Sequence, residues 1–174
     1  AGQLLAELGT CGGDLGKVLG DWDPEVGAWI CFNPVEGGRS NNNVTDYRYA
    51  LVECDNMELE KQQAIIRQLE LPCAALVHSG SKSLHAIVRV GAPDYTEYRR
   101  RVDYLYAACK KNGLTLDEAN RNPARLSRMP GILRGGKKQY LLETNTGKSC
   151  WEEWKDWFEA CTDDLPDTEN LADD

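Results

Sequence analysis

The stretch that decides the fold runs Ala74-Ala75-Leu76-Val77-His78-Ser79-Gly80-Ser81-Lys82-Ser83-Leu84-His85-Ala86-Ile87-Val88-Arg89-Val90. An apolar run of strand length, a small-residue turn and a second, longer apolar run read as a hairpin of two antiparallel strands. Immediately upstream, 58–69 sets Leu59, Ile65, Ile66 and Leu69 on one helical side. That helix stops before Leu71-Pro72, because the residue preceding a proline is pushed out of the α region. Before it, Tyr47 to Cys54 reads as another strand, half buried and then fully apolar. Downstream, 94–112 carries Tyr95, Tyr98, Val102, Leu105 and Cys109 at steps of three and four, an amphipathic helix that ends at Asn112-Gly113.

Working outward, Leu4, Leu5 and Leu8 predict a short helix that stops at Gly9, and Leu15, Val18 and Leu19 a second that ends near Gly20. Together they suggest an N-terminal helical cap over 1–26. Ala28 to Phe32 predicts a strand, followed by Asn33-Pro34 and a polar loop over 37–43. Gln139 to Thr144 reads as a last strand, and Trp151, Trp154 and Phe158 mark a final helix whose aromatic face docks on the domain. Strands linked by hairpins and alternating with two long helices define an α+β class, an RRM-like antiparallel or mixed sheet packed with helices on one face. A doubly wound parallel sheet is disfavoured, since neither G-x-G-x-x-G nor G-x-x-x-x-G-K-[ST] occurs.

At 174 residues, with 41% hydrophobic and 28% charged, the chain suits one soluble domain with a real core and lacks the run of about 20 apolar residues a bilayer span needs. The start, Ala1-Gly2-Gln3, has no basic-then-apolar signal pattern and reads as trimmed rather than secreted. The seven cysteines are scattered, odd in number and never C-x-x-C, which points to free thiols in a reducing, cytoplasmic setting. Cys73, His78 and His85 lack a fourth ligand and zinc-site spacing, so no zinc is expected. The net charge of −8 is mostly a tail: Asp163, Asp164, Asp167, Glu169, Asp173 and Asp174 sit within 162–174 without a base. Conversely, 119–142 holds no acid and gathers Arg121, Arg125, Arg128, Arg134, Lys137 and Lys138, either a solvated face or an anion-binding stripe.

Three segments carry possible chemistry. Glu53 and Asp55 lie two apart near a strand end, so their side chains leave the same face, with Cα atoms about 7 Å apart, and can bracket a hard cation. Cys54 between them points into the core. In Ser79-Gly80-Ser81-Lys82-Ser83-Leu84-His85, Ser83 and His85 share a face, while the turn N–H groups, Lys82 and His85 suit phosphate oxygens. The segment 116–131 joins Asp117 to Arg125 and Arg128. Three carboxylates holding two divalent ions, with basic side chains on a triphosphate, are the parts of in-line nucleotidyl transfer.

The order Glu-Cys-Asp, then Ser-Gly-Ser-Lys-Ser-Leu-His, then D-x-x-N-x-N-P-x-R-L-S-R-M-P-G resembles the catalytic domain of the archaeo-eukaryotic primase superfamily. More narrowly it looks like the phage- and plasmid-type primases and primase-polymerases that precede a replicative helicase domain. Gly27-Ala28-Trp29-Ile30, Asn33-Pro34 and Val44-Thr45-Asp46-Tyr47-Arg48-Tyr49 extend the likeness over 27–158. Its first motif is commonly Asp-x-Asp where this chain has Glu-x-Asp, and its turn more usually Ser-Gly-Gly-Lys. The resemblance implies an RRM-like catalytic domain over 27–161, ahead of an acidic linker or tail at 162–174. It implies that Glu53, Asp55 and Asp117 hold two Mg²⁺ or Mn²⁺ ions and that Ser83 and His85 contact the incoming nucleotide's phosphates.

The expected activity is metal-dependent, template-directed synthesis of primers on single-stranded DNA from nucleoside triphosphates, in a phage- or plasmid-encoded protein of the bacterial cytoplasm. Glu53, Asp55, Asp117 and His85 are the expected catalytic residues, and Lys82, Ser83, His85, Arg125 and Arg128 the nucleotide-binding ones. Arg121, Arg134, Lys137 and Lys138 are expected on nucleic acid, a helicase domain is the expected C-terminal partner, and no membrane is involved. Two other readings stay open: a non-catalytic RRM-like module binding single-stranded nucleic acid, and a metal-dependent nuclease.

Overall fold

The computed structural model describes residues 2–162. The acidic tail expected beyond Thr162 therefore lies outside the described residues. At the centre is a 4-stranded antiparallel sheet of β2 (Tyr47–Cys54), β3 (Cys73–His78), β4 (Leu84–Ala92) and β8 (Tyr140–Thr146), in the order β2-β4-β3-β8. The hairpin of β3 and β4 forms where the sequence places it, and α3 (Leu59–Gln68) carries the chain from β2 to β3 across the strand between them. This is the expected α+β architecture, with the last strand on the β3 edge.

Period-two alternation gives the sheet two different faces. Ala50, Val52 and Cys54 of β2 and Ala86, Val88 and Val90 of β4 turn one way and are buried in the core. That face is covered by α3, α4 (Tyr95–Lys111) and α5 (Trp151–Cys161). Asp94 caps α4 by accepting from the Glu97 N–H at 2.8 Å, satisfying one of the donors a helix start leaves open. On α5, Trp151, Trp154 and Phe158 fall on one side and close around Tyr104, and the Trp154 indole N–H donates to the Leu69 carbonyl at 2.8 Å. The turn into α5 needs Gly147: its φ is +70°, and a Cβ there would stand 2.0 Å from the Leu71 carbonyl oxygen.

The outer edge of β2 does not stay open. Tyr98 and Tyr106 of α4 donate their hydroxyls to the carbonyls of Tyr49 (3.1 Å) and Leu51 (2.7 Å). Asn33 adds to them, accepting from the N–H groups of Arg48 and Tyr49 and donating to the carbonyls of Tyr49 and Pro123. An edge so satisfied is a poor template for another strand.

On the other face lie the small ladders. β1 (Trp29–Cys31) pairs with β5 (Leu126–Arg128), and β6 (Leu133–Arg134) with β7 (Lys137–Lys138). β5 is absent from the sequence reading because three residues carry no readable period, and its partner lies nearly a hundred residues earlier. At the N-terminus, α1 (Gly2–Thr10) runs past Gly9. It stops instead at Gly12 and Gly13, whose φ values of 63° and 85° are left-handed, whereas a single glycine inside a helix is tolerated. α2 (Gly16–Leu19) ends at Gly20 as expected, and neither α1 nor α2 buries a residue. No described helix is long and apolar enough to cross a membrane.

Candidate active site

Because the two faces alternate, Glu53 of β2 and His85 of β4 point away from the helices and are direct cross-strand partners. The His85 Nε2 lies 3.1 Å from Glu53 Oε1. On its other side, Nδ1 meets the Arg128 backbone N–H at 3.2 Å and the Ser127 hydroxyl at 3.1 Å. A backbone N–H can only donate, so Nδ1 accepts and the ring carries its proton on Nε2, aimed at Glu53. The same carboxylate has Ser83 Oγ at 3.2 Å and accepts from Asn120 Nδ2 at 3.0 Å.

Burial alone would raise the pKa of Glu53. The Nε2–H hydrogen bond of His85, with the donors of Asn120 and Ser83, outweighs it and brings the carboxyl down to about 2. A carboxylate depressed in the folded state stabilises that state above its unfolded pKa, and the stabilisation disappears as pH falls toward 2. We expect native protein to be more stable than Glu53→Gln by about 2–3 kcal/mol at pH 6 in EDTA, and this gap to fall below about 1 kcal/mol by pH 2.5. Urea midpoints across that range measure it; a constant gap contradicts the assignment.

Glu53 and His85 lie on the wall of an open cleft of about 420 Å³, within the roughly 300–1,000 Å³ of small-ligand sites. Its charged lining is lopsided: Glu53 and Asp55 face Arg39, Lys82, Arg125, Arg128 and Arg134. Asp55 sits 3.2 Å from Lys82, both largely exposed at 61% and 70%. Exposed pairs contribute only about 0–1 kcal/mol, so Lys82 is easily released to an anion and Asp55 to a cation. Arg128 is held more firmly, with one nitrogen on the Val26 carbonyl at 2.9 Å and its guanidinium 4.0 Å over the Trp29 ring.

The expected residues do not all arrive here. Glu53, Asp55, Lys82, Ser83, His85, Arg125, Arg128 and Arg134 line the cleft, whereas Asp117 does not. Asp117 caps the short 3-10 helix at Glu118–Arg121, accepting from the Ala119 N–H, and that turn delivers Asn120 to Glu53 in its place. Arg121 is engaged by Asp103 (3.0 Å) and Glu118 (2.9 Å), away from the cleft. Lys137 and Lys138 are exposed on β7. Ser83 and His85 are committed to Glu53 in this arrangement, and the turn N–H groups of Gly80, Ser81 and Ser83 are taken by His78 and Ser79. Cys73 packs in the core, on the side of the sheet away from His85.

Trp29, Arg39, Asn120 and Ser127 are the site residues missed in the sequence. Three of them sit inside phrases already singled out (Gly27–Ile30 and the D-x-x-N and R-L-S-R runs), and only Arg39 carries no signal. Among the described residues no three His, Cys, Asp or Glu side chains converge as a metal cluster. Of the three carboxylates expected on metal, Glu53 and Asp55 line the cleft and Asp117 lies outside it as the cap of the 3-10 turn.

This geometry sits on an archaeo-eukaryotic primase-like fold. The chain is similar to the AEP domain of the cyanophage S-2L primase-polymerase, at 20% identity and a TM-score of 0.56, over 74% of this chain and 68% of that one. A second similar structure is the primase RepB', at 17% identity and a TM-score of 0.43, over 66% of this chain and 42% of that one. No family model and no curated protein matches the sequence.

Proposed function

We propose that the cleft binds a nucleoside triphosphate and serves template-directed nucleotidyl transfer, making primers on single-stranded DNA. The observation that carries this is the pairing of a rigid carboxylate with an excess of cations in one cleft, on a fold of the primase type. Lys82, Arg125, Arg39 and Arg134 would take the phosphate oxygens, Lys82 as a point charge and the arginines as planar forks. Glu53 and Asp55 would hold one divalent cation, Mg²⁺ or Mn²⁺, which when bound supplies Lewis acidity toward the phosphate and the attacking hydroxyl. His85 acts through Glu53: its Nε2–H and the Asn120 amide fix the carboxylate's orientation, so little reorganisation remains when a cation arrives.

An RRM-like binding module would need exposed aromatics at the middle of the open sheet face. Leu51, His85 and Ile87 occupy that place and are buried, which favours the catalytic reading. Synthesis from labelled nucleoside triphosphates on single-stranded DNA, with Mg²⁺ or Mn²⁺, tests it. New short strands that disappear on chelation are the expected result; shortened template would point to a nuclease, and tight DNA binding without either product to a binding module.

A further inference from the structure

The cleft's polar lining is almost wholly charged or hydroxylic, with two apolar exceptions, Trp29 and Leu126. Both lie on the β1–β5 ladder, where Trp29 is the register partner of Arg128 and Leu126 of Cys31. Alternation along β5 sends Ser127 inward to His85, and Leu126 and Arg128 line the cleft with the indole. The ladder thus joins the apolar patch to the Glu53–His85 pair through the Ser127 hydroxyl and the Arg128 backbone N–H.

Trp29 is held and yet uncovered. Arg128 lies over its ring at 4.0 Å, and the guanidinium is itself anchored on the Val26 carbonyl and near Gln139 Oε1 at 3.4 Å. Gln139 is fully buried and donates to the carbonyls of Ala28 and Met129, the backbone on either side of the pair. Trp29 nevertheless stays 41% exposed at the cleft. A large flat ring fixed by a cation on one face and open to a phosphate-binding cleft has the form of a stacking platform.

We infer that Trp29, backed by Arg128, is the surface on which the base of the bound nucleotide stacks, so that the cleft recognises a nucleotide and not a polyphosphate alone. This rests on the reading of the cleft as a triphosphate site. Stacking is indifferent to base identity, since every base has a π-face, so purine and pyrimidine nucleotides are both accepted. Lys82, Arg39, Arg125 and Arg134 hold the phosphates, and the ladder holds the other end of the molecule.

The test compares ATP with inorganic tripolyphosphate by calorimetry, on the native chain, Trp29→Ala and Trp29→Phe. The native chain is expected to bind ATP about tenfold more tightly than tripolyphosphate. In Trp29→Ala that preference vanishes with tripolyphosphate affinity unchanged, and Trp29→Phe keeps most of it. ATP should also quench the indole fluorescence that Trp29→Phe removes, and tripolyphosphate should not. Equal native affinities, or a Trp29→Ala variant that loses both ligands in parallel, overturn the stacking role while leaving the phosphate site standing. If neither ligand binds the native chain, the triphosphate reading itself fails, and the inference with it.

Discussion

Asp55→Asn is expected to lower primer synthesis by about 10²- to 10³-fold, the usual cost of removing one charge that acts on the transition state, while Asp117→Asn stays within about threefold of the native chain. The contrast follows from placement. Asp55 lines the cleft, exposed and paired with Lys82, so its replacement alters the charge offered to a cation without disturbing the fold. Asp117 lies outside the cleft and works as a cap for the turn that carries Asn120, and asparagine caps as well as aspartate does. Mn²⁺ titration in the absence of nucleotide separates binding from chemistry: Asp55→Asn should weaken the metal, Asp117→Asn should not. Equal and large losses from both variants would return Asp117 to the metal site and require the 3-10 turn to move on ligand binding.

The largest expected effect on stability is at Trp154. It is fully buried, stacks on Phe158 with centroids 5.3 Å apart, meets Trp151 and the edge of Tyr104, and its N–H is the partner of the Leu69 carbonyl. Trp154→Ala should cost about 3–5 kcal/mol for the lost ring and its cavity. Leaving the Leu69 carbonyl unpaired adds about 1 kcal/mol or more. For a chain whose whole stability is about 5–15 kcal/mol, that is a third or more of the total, read as a fall in Tm of roughly 10–15 °C. Trp154→Phe keeps a ring but loses the donor, so an intermediate loss is expected. A variant within 1 kcal/mol of native by urea titration would mean that α5 is not seated on the sheet as described.

The cleft differs from these in what its residues ask of the chain. Glu53 with Asp55, and Ser83 with His85, are legible in the sequence because alternation sends each pair to one face of its strand, and Cys54 to the other, before any partner is known. Asn120 lies in the same run as Asp117, and an acid is the stronger chemical signal. What decides between them is that Asp117 spends its carboxylate on a backbone N–H, leaving the next turn to reach Glu53. The same holds for Arg121: its charge belongs to a basic stripe in the sequence, but Asp103 on α4 claims it.

By itself the sequence determined the sheet's strands, the hairpin, the long helices and the side of the sheet that carries the chemistry. These depend on local period and on residues that stop helices, information carried within a dozen neighbours. Tertiary structure alone decided the pairing of Trp29–Cys31 with Leu126–Arg128, the tautomer of His85 and the membership of the cleft. Each of these rests on contacts between residues far apart in the chain, where no periodicity reaches and only packing brings the partners together.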